Sequence, residues 1–234
     1  MGTRITFRYK NDDKPEVLPT HSKAIRCWEE GFCIAVYEPE SHQVVVVEEH
    51  LFEDDYPLKG KIHLLSEAEK QWPTGGDMRL ICFNHPNTQI PQQLYNEADK
   101  NLYHEIMLLH PECRLQSGMY LLLQLLARQE GRRKIVAFVE RNHLDIVAAD
   151  NDRLLGSNSF PFNSPNDFLY CFAGFARTLF GDTDAIDVHL GGDVAKDSQI
   201  YISIQKYFPS VQFIDNGFQT LRQDQHRYCD LLFQ

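Results

Sequence analysis

The sequence has little of what most quickly identifies a chemistry. Its six cysteines (Cys27, Cys33, Cys82, Cys113, Cys171 and Cys229) include no Cys-x-x-Cys pair, and none stands with histidine at zinc-ligand spacing. Several lie in apolar stretches, where a reduced thiol behaves as a small hydrophobe. There is no G-x-S-x-G nucleophile turn, no Walker A loop and no Cys-His-Asn set at recognisable spacing. No run approaches the ~20 apolar residues of a membrane span, and MGTRITFRYK has no signal-peptide core. These absences predict a soluble, reduced, cytoplasmic protein with no direct membrane insertion.

Positive charge is also scarce. There are 23 Lys and Arg residues against 33 Asp and Glu, a formal net charge of -10. The longest basic run, Arg132-Arg133-Lys134, reads as the solvated edge of a strand. A polyphosphate chain would be repelled, so nucleic acid is not an expected partner. What is there, 43% hydrophobic and 24% charged residues, suits one large domain or two small ones.

Strand and helix patterns alternate along the chain. FCIAVY (32–37) and QVVVVE (43–48) flank a short polar turn and predict a β-hairpin. KIHLLSEAEKQW follows as a helix, with Ile62, Leu65 and Ala68 at three-residue steps, and MRLICF (78–83) is a strand. QSGMYLLLQLLARQEG (116–131) is a connecting helix, capped by Ser117 and ended by Gly131. The second half then repeats the order. KIVAFVE (134–140) and LDIVAA (144–149) form a hairpin, and LLGSNSF is a third strand. Ser164, Pro165 and Asp167 open a helix whose face carries Phe168, Phe172, Phe175 and Leu179, and Gly181 stops it. AIDVHL (185–190) is the next strand. The repeated hairpin, helix and strand predict a mixed α/β (α+β) protein, divided into residues 1–115 and 116–234, with the hairpins at 32–48 and 134–149 equivalent.

Gly191-Gly192 sits where a strand gives way to a helix. Glycine there lets a ligand approach the backbone next to a helix N-terminus, or it simply makes the corner; a lone pair of glycines favours the corner. Ser198 or Asp197 caps the helix beyond, whose apolar face is Ile200, Ile204 and Tyr207/Phe208. The acids Asp193 and Asp197 suit a helix start. The two hairpin turns, Glu38-Pro39-Glu40-Ser41-His42 and Arg141-Asn142-His143, contain no glycine to let backbone amides converge on phosphate. Glu38 and Glu140 stand at the ends of the two first-predicted strands, either as a paired acid site for hydrated magnesium or as solvated turn residues. HEIMLLH (104–110) sets two histidines six apart, which is not a ligand spacing on a helix. EEHLFEDD (48–55) reads as a solvated acidic loop.

Taken together, KIVAFVERNHLDIVAADNDRLLGSNSF, FNSPNDFLYCF and VHLGGDVAKDSQIYISIQKYFPSVQFI resemble the C-terminal half of an uncharacterised bacterial family with an actin-like ATPase fold. The first hairpin and TQIPQQLYNEADKNLY (88–103) resemble its first half. The wider superfamily includes actin, Hsp70-type chaperones, sugar kinases, and pilus-assembly and secretion proteins. The resemblance implies two ribonuclease-H-like subdomains with a cleft between them. It implies nucleotide contacts at Gly191, Gly192, Asp193, Glu140 and Asn142, with Leu190 to Asp193 at the superfamily's adenosine-contacting Gly-Gly motif. It assigns no catalytic residue and no metal ligand. In the superfamily an Asp-x-Gly opens each hairpin turn, the Asp serving magnesium; here Tyr37-Glu38-Pro39 and Glu140-Arg141-Asn142 stand in those places. The expected function is therefore a non-catalytic adaptor or scaffold that binds an unknown protein partner. The alternative is an ATP-binding protein that uses magnesium, with slow ATPase or kinase activity. A third reading is a module recruited by a partner to a membrane-associated assembly.

Overall fold

Two mixed β-sheets organise the chain in the computed structural model, which describes residues 3–12, 16–28, 31–41, 43–52, 57–82, 104–182, 185–214 and 225–232. The first sheet holds β1 (Thr3–Lys10), β2 (Ser22–Trp28), β3 (Gly31–Glu38), β4 (Gln43–Phe52), β5 (Met78–Cys82) and β6 (Arg114–Ser117), in the order β1-β4-β3-β2-β5-β6. The second holds β7 (Arg133–Glu140), β8 (His143–Asp150), β9 (Arg153–Pro161), β10 (Ile186–Gly192) and β11 (Ser210–Phe213), in the order β11-β10-β7-β8-β9. With β1 set aside as an added edge, both sheets read third, second, first, fourth, fifth. In each, the first three strands are antiparallel and the last two join parallel to the first. The mixed α/β class and the two-sheet duplication are those expected, and the topology is that of duplicated ribonuclease-H-like subdomains.

The duplication is offset by one strand from the expected equivalence. The partner of β7 is β2, so the hairpin matching residues 134–149 is β2–β3 and not 32–48. Its turn closes at Trp28 opposite Gly31, as the second closes at Glu140 opposite His143. Trp28 and Gly31 are thus the counterparts of Glu140 and His143. Glu38 lies at the other end of β3, roughly 20 Å away at ~3.3 Å per residue. The paired acid site of Glu38 and Glu140 is therefore not formed. The first turn also has a glycine after all. Gly31 lies against the Trp28 ring, where a side chain would strike Trp28 Cε2 at 2.9 Å.

β2 escapes a search for apolar runs because Lys23 and Arg26 interrupt SKAIRCW. Both are nevertheless buried. Lys23 Nζ lies 2.9 Å from Glu69 Oε1, and Arg26 Nε lies 3.2 Å from Glu140 Oε1. A second departure is the acidic run at 48–55, whose first part is not a loop. β4 continues to Phe52, and Glu48, Glu49 and His50 are all buried. Glu48 Oε1 meets His50 Nε2 at 2.5 Å, and its Oε2 accepts from Arg8 Nε at 2.8 Å. Burial pushes the Glu48 carboxyl up, but these bonds outweigh it and hold it below its ordinary value. Lys134, expected on a solvated edge, is buried as well and donates to Gln129 O at 2.8 Å. TQIPQQLYNEADKNLY lies outside the described residues.

Three apolar layers result. On the outer face of the first sheet, α1 (Leu58–Lys70) and a helical segment at 104–109 bring Leu65, Ala68 and Ile106 against Ile25, Phe32, Ile34 and Leu80. On the outer face of the second, α3 (Pro165–Phe180) and α4 (Gln199–Gln205) bring Phe168, Phe172, Ala176 and Ile204 against the sheet. The start of α3 is the predicted one: Ser164 Oγ accepts from Asp167 N at 3.2 Å, and Asp167 Oδ2 accepts from Asn163 N at 3.2 Å. Between the sheets, α2 (Gly118–Arg128) and α5 (Cys229–Leu232) complete a core to which both contribute, including Ala24, Ala35, Val136, Val147, Leu121, Leu125 and Leu231.

Candidate functional site at the strand ends

In open α/β sheets, ligand crevices lie beyond the carboxyl ends of the strands, where the strand order reverses. Here that place is shared by the ends of β2, β7 and β10. β2 delivers Arg26 and Trp28, β7 delivers Glu140 and Arg141, and the residue after β10 is Asp193; Glu49 of β4 and Arg227 of the turn Gln225–Tyr228 close the sides. The cleft is partly open to solvent, and its cavity of ≈ 20 Å³ has room for about one water molecule.

Charge of both signs fills this space. Arg26, from the first sheet, meets Glu140, from the second, at 3.2 Å, with side chains 6% and 13% exposed. Arg227 reaches Glu49 at 3.3 Å and Asp193 at 3.2 Å, joining the same two halves a second time. Glu49 also accepts from Thr6 Oγ1 at 2.9 Å and from the Tyr228 hydroxyl at 3.4 Å. Trp28 lies between two guanidiniums, 5.7 Å from Arg26 and 5.2 Å from Arg141, and Arg26 also covers the Phe138 ring at 5.4 Å. Arg141 takes positive φ (51°) at the tight turn. Beneath them Asp145, opposite Phe138 on β8, is buried. Burial pushes its carboxyl up to about 7, and the nearby Glu140 adds to this against a bond from Ser159. Among the described residues, its Oδ1 has no hydrogen-bond partner.

The structure brings two of the sequence-predicted residues, Glu140 and Asp193, into this cleft. Asn142 lies on the exposed turn beyond it, where its Oδ1 meets His143 Nδ1 at 3.0 Å. Gly191 and Gly192 do not line the cleft, and protein atoms occupy the space beside each. A side chain at Gly191 would strike Cys229 Sγ at 2.7 Å and Ile214 Cδ1 at 2.9 Å. Gly192 has φ +83° and lies against the Val139 backbone, whose carbonyl accepts from Asp193 N at 2.6 Å. The glycines thus allow β10 to approach β7 and α5 closely. Among the described residues, no three His, Cys, Asp or Glu side chains gather as a metal site.

Sequence reasoning missed Arg26, Trp28, Glu49 and Arg227. The signal for the first two was the sequence Trp28-Glu29-Glu30-Gly31, with only two residues between β-rich segments. Glu49 and Arg227 carry no such signal, because only the fold brings them together.

Residues 98–211, just under half of the chain, match a family described as "Protein of unknown function (DUF3822)". No functionally curated protein matches the chain in sequence. Among solved structures, a Bacteroides thetaiotaomicron protein with actin-like ATPase fold and unknown function is similar over 85% of this chain and 92% of its own, at 17% identity and TM-score 0.65. AlfA from a B. subtilis plasmid, solved as a filament, is 10% identical with TM-score 0.56, covering 91% of this chain and 97% of its own. The ethanolamine utilization protein EutJ from Carboxydothermus hydrogenoformans is also 10% identical, with TM-score 0.54 over 92% of this chain and 89% of its own. With the repeated strand order, these likenesses show that the chain has the actin-like ATPase fold.

Proposed function

We propose that this protein acts through protein contacts, as a non-catalytic adaptor or scaffold in the cytoplasm, and that its cleft is a joint between two halves divided as 1–115 and 116–234. The observation that carries this reading is the pairing of Arg26 with Glu140 across the strand ends. Side chains from both halves, with Trp28 stacked among them, occupy the position where this architecture would otherwise open a crevice. A nucleotide would need a pocket of at least ~300 Å³, and the space beside Gly191 and Gly192 is filled by Val139, Cys229 and Ile214. No helix among the described residues is long and apolar enough to cross a membrane.

The second reading is ATP with magnesium at Gly191, Gly192, Asp193, Glu140 and Asn142. It draws on one observation: Glu140 and Asp193 do share a cleft at the carboxyl ends of the strands. Two measurements on the purified chain separate the readings, phosphate release from Mg-ATP and thermal shift with nucleotides, each with and without magnesium. The joint predicts no turnover above background and no shift. Turnover that Glu140→Gln abolishes in a folded variant would overturn the adaptor reading. A nucleotide at 100 times its Kd would add about 2.7 kcal/mol of stability and raise the melting temperature visibly.

A further inference from the structure

Two buried polar atoms at the joint lack a hydrogen-bond partner among the described residues, Trp28 Nε1 from the first sheet and Asp145 Oδ1 from the second. Side chains alternate across a strand. The ladder therefore sets Phe138 and Glu140 of β7, His143 and Asp145 of β8, and Ser159 of β9 on one face, turned toward the first sheet. Asp145 is 1% exposed there. The groups that act on it are the Ser159 hydroxyl, which bonds it, and the Glu140 carboxylate, which repels its charge. A buried carboxyl so placed is held neutral.

Glu140 is also the residue that meets Arg26 across the joint at 3.2 Å. It serves a cation of the opposite half and neighbours an acid of its own. The other charges at this end are engaged elsewhere. Arg227 meets Glu49 and Asp193, Arg141 covers the Trp28 ring at 5.2 Å, and His143 Nδ1 meets Asn142 Oδ1. Helix α2, which also packs on this face, does so through Leu121, Leu122, Leu125 and Leu126.

We propose that the joint is a pH-operated latch: loss of the Asp145 proton sets a second negative charge beside Glu140, and the Arg26–Glu140 contact opens to admit water to both carboxylates. This rests on the reading of the cleft as a joint. The closed joint keeps the proton up to about pH 7, whereas a hydrated Asp145 would lose it near 3.8. Opening therefore becomes easier as pH rises between these values, by up to roughly tenfold per pH unit, and gains nothing further above them.

The chain has two tryptophans, Trp28 and Trp72, so the indole N–H of Trp28 is a separable signal, assigned with Trp72→Phe. Its solvent exchange, followed by NMR on the full chain from pH 5 to 8, reports whether Arg141 and the second half still cover it. Relative to Asp145→Asn at the same pH, exchange should rise by roughly tenfold or more from pH 5 to 7 and then level. His143 is present in both chains, so its own titration cancels. In a Glu140→Gln background the same comparison should level at lower pH, because the charge that helps to raise the Asp145 pKa is gone. The amide of Ile34, in the centre of the first sheet, gives the rate of global unfolding, and Trp28 should exchange faster than this. A ratio that does not change with pH, Trp28 exchange no faster than global unfolding, or a levelling point indifferent to Glu140→Gln each overturns the latch. Nucleotide binding in the thermal-shift measurement overturns the joint itself, and a flat ratio without nucleotide binding overturns the latch alone.

Discussion

β7 of the second half is apolar from Ile135 to Val139 and keeps its charges at its two ends, with Lys134 buried at one and Glu140 at the other, whereas its counterpart β2 buries Arg26 in mid-strand as well as Lys23. The two strands hold the same central place in the same strand order. One is fixed by packing on α3, β8 and β10. The other depends on carboxylates supplied from outside its own strand, Glu69 of α1 and Glu140 of the opposite sheet. Buried ion pairs add little net stability over well-packed apolar groups but are costly to break singly. The second half should therefore respond most to changes of shape, and the first to removal of a charge.

The largest effect is expected at the β10 corner. Gly192→Val puts a β-branched residue at φ +83° and drives its Cβ into the Val139 carbonyl. A loss above ~4 kcal/mol, or failure to fold, is expected in urea unfolding. A folded variant losing under ~1 kcal/mol would show that this corner is not a rigid part of the second half. Next comes Phe172→Ala on α3. Phe172 is fully buried between Phe168 and Phe208, with ring centroids 5.9 and 5.1 Å away, so truncation should cost about 3–5 kcal/mol.

The charge side of the comparison is tested at Arg26. Arg26→Met leaves Glu140 without this partner in a mostly buried position and should cost about 3 kcal/mol. The double variant Arg26→Met/Glu140→Leu should recover to within ~1 kcal/mol of the starting protein. If the double variant is no better than the single, the guanidinium matters for its stacking on Trp28 and Phe138 and not for its charge.

A smaller effect concerns Asp145, a charge that the second half does bury. Its folded pKa of about 7 lies above the ordinary value of 3.8. The folded chain therefore holds a proton that the unfolded chain has lost, and stability falls as pH rises through this window. Asp145→Asn removes that fall. Near pH 4 the variant should be less stable by about 2 kcal/mol, because its amide is itself imperfectly paired; at pH 8 it should be the more stable by about 2 kcal/mol. A difference that does not change between pH 4 and 8 would show that Asp145 stays ionised in the folded protein.

These contrasts also explain what was legible in the sequence. The second half was read almost strand by strand, because its elements follow the apolar periodicities that burial imposes and its turns carry Ser164 and Gly181 as punctuation. In the first half, alternation failed at Lys23 and Arg26, because a buried cation looks like a surface residue until its carboxylate is found in three dimensions. Glu48 and Glu49 failed for the same reason, as their partners Arg8, His50 and Arg227 lie on β1, two residues along β4 and near the far end of the chain. One misplaced strand then shifted the whole equivalence and paired Glu38 with Glu140. At the candidate site, Glu140 stood out as the end of an apolar strand and Asp193 through the resemblance at the Gly-Gly corner, and the fold sets both beside the cleft. Arg26 and Arg227 did not stand out, because no local pattern marks a residue whose role is to meet a distant one.

The smallest effect separates two helix starts that look alike in sequence. Ser164 precedes α3 and Ser117 precedes α2, both with extended backbone at the cap position. Only Ser164 makes a side-chain cap, accepting from Asp167 N at 3.2 Å; Ser117 makes none. The difference follows from what precedes each helix. Ser164 leaves a polar turn with its hydroxyl free to fold back, whereas Ser117 is still the last residue of β6, paired with Cys82 of β5. Ser164→Ala should therefore destabilise the chain by about 1 kcal/mol, and Ser117→Ala by less than about 0.5 kcal/mol. Urea midpoints with unchanged slopes measure both. Equal losses would mean that Ser117 caps α2 in solution, and that the passage from the first sheet into α2 is a helix start like the other.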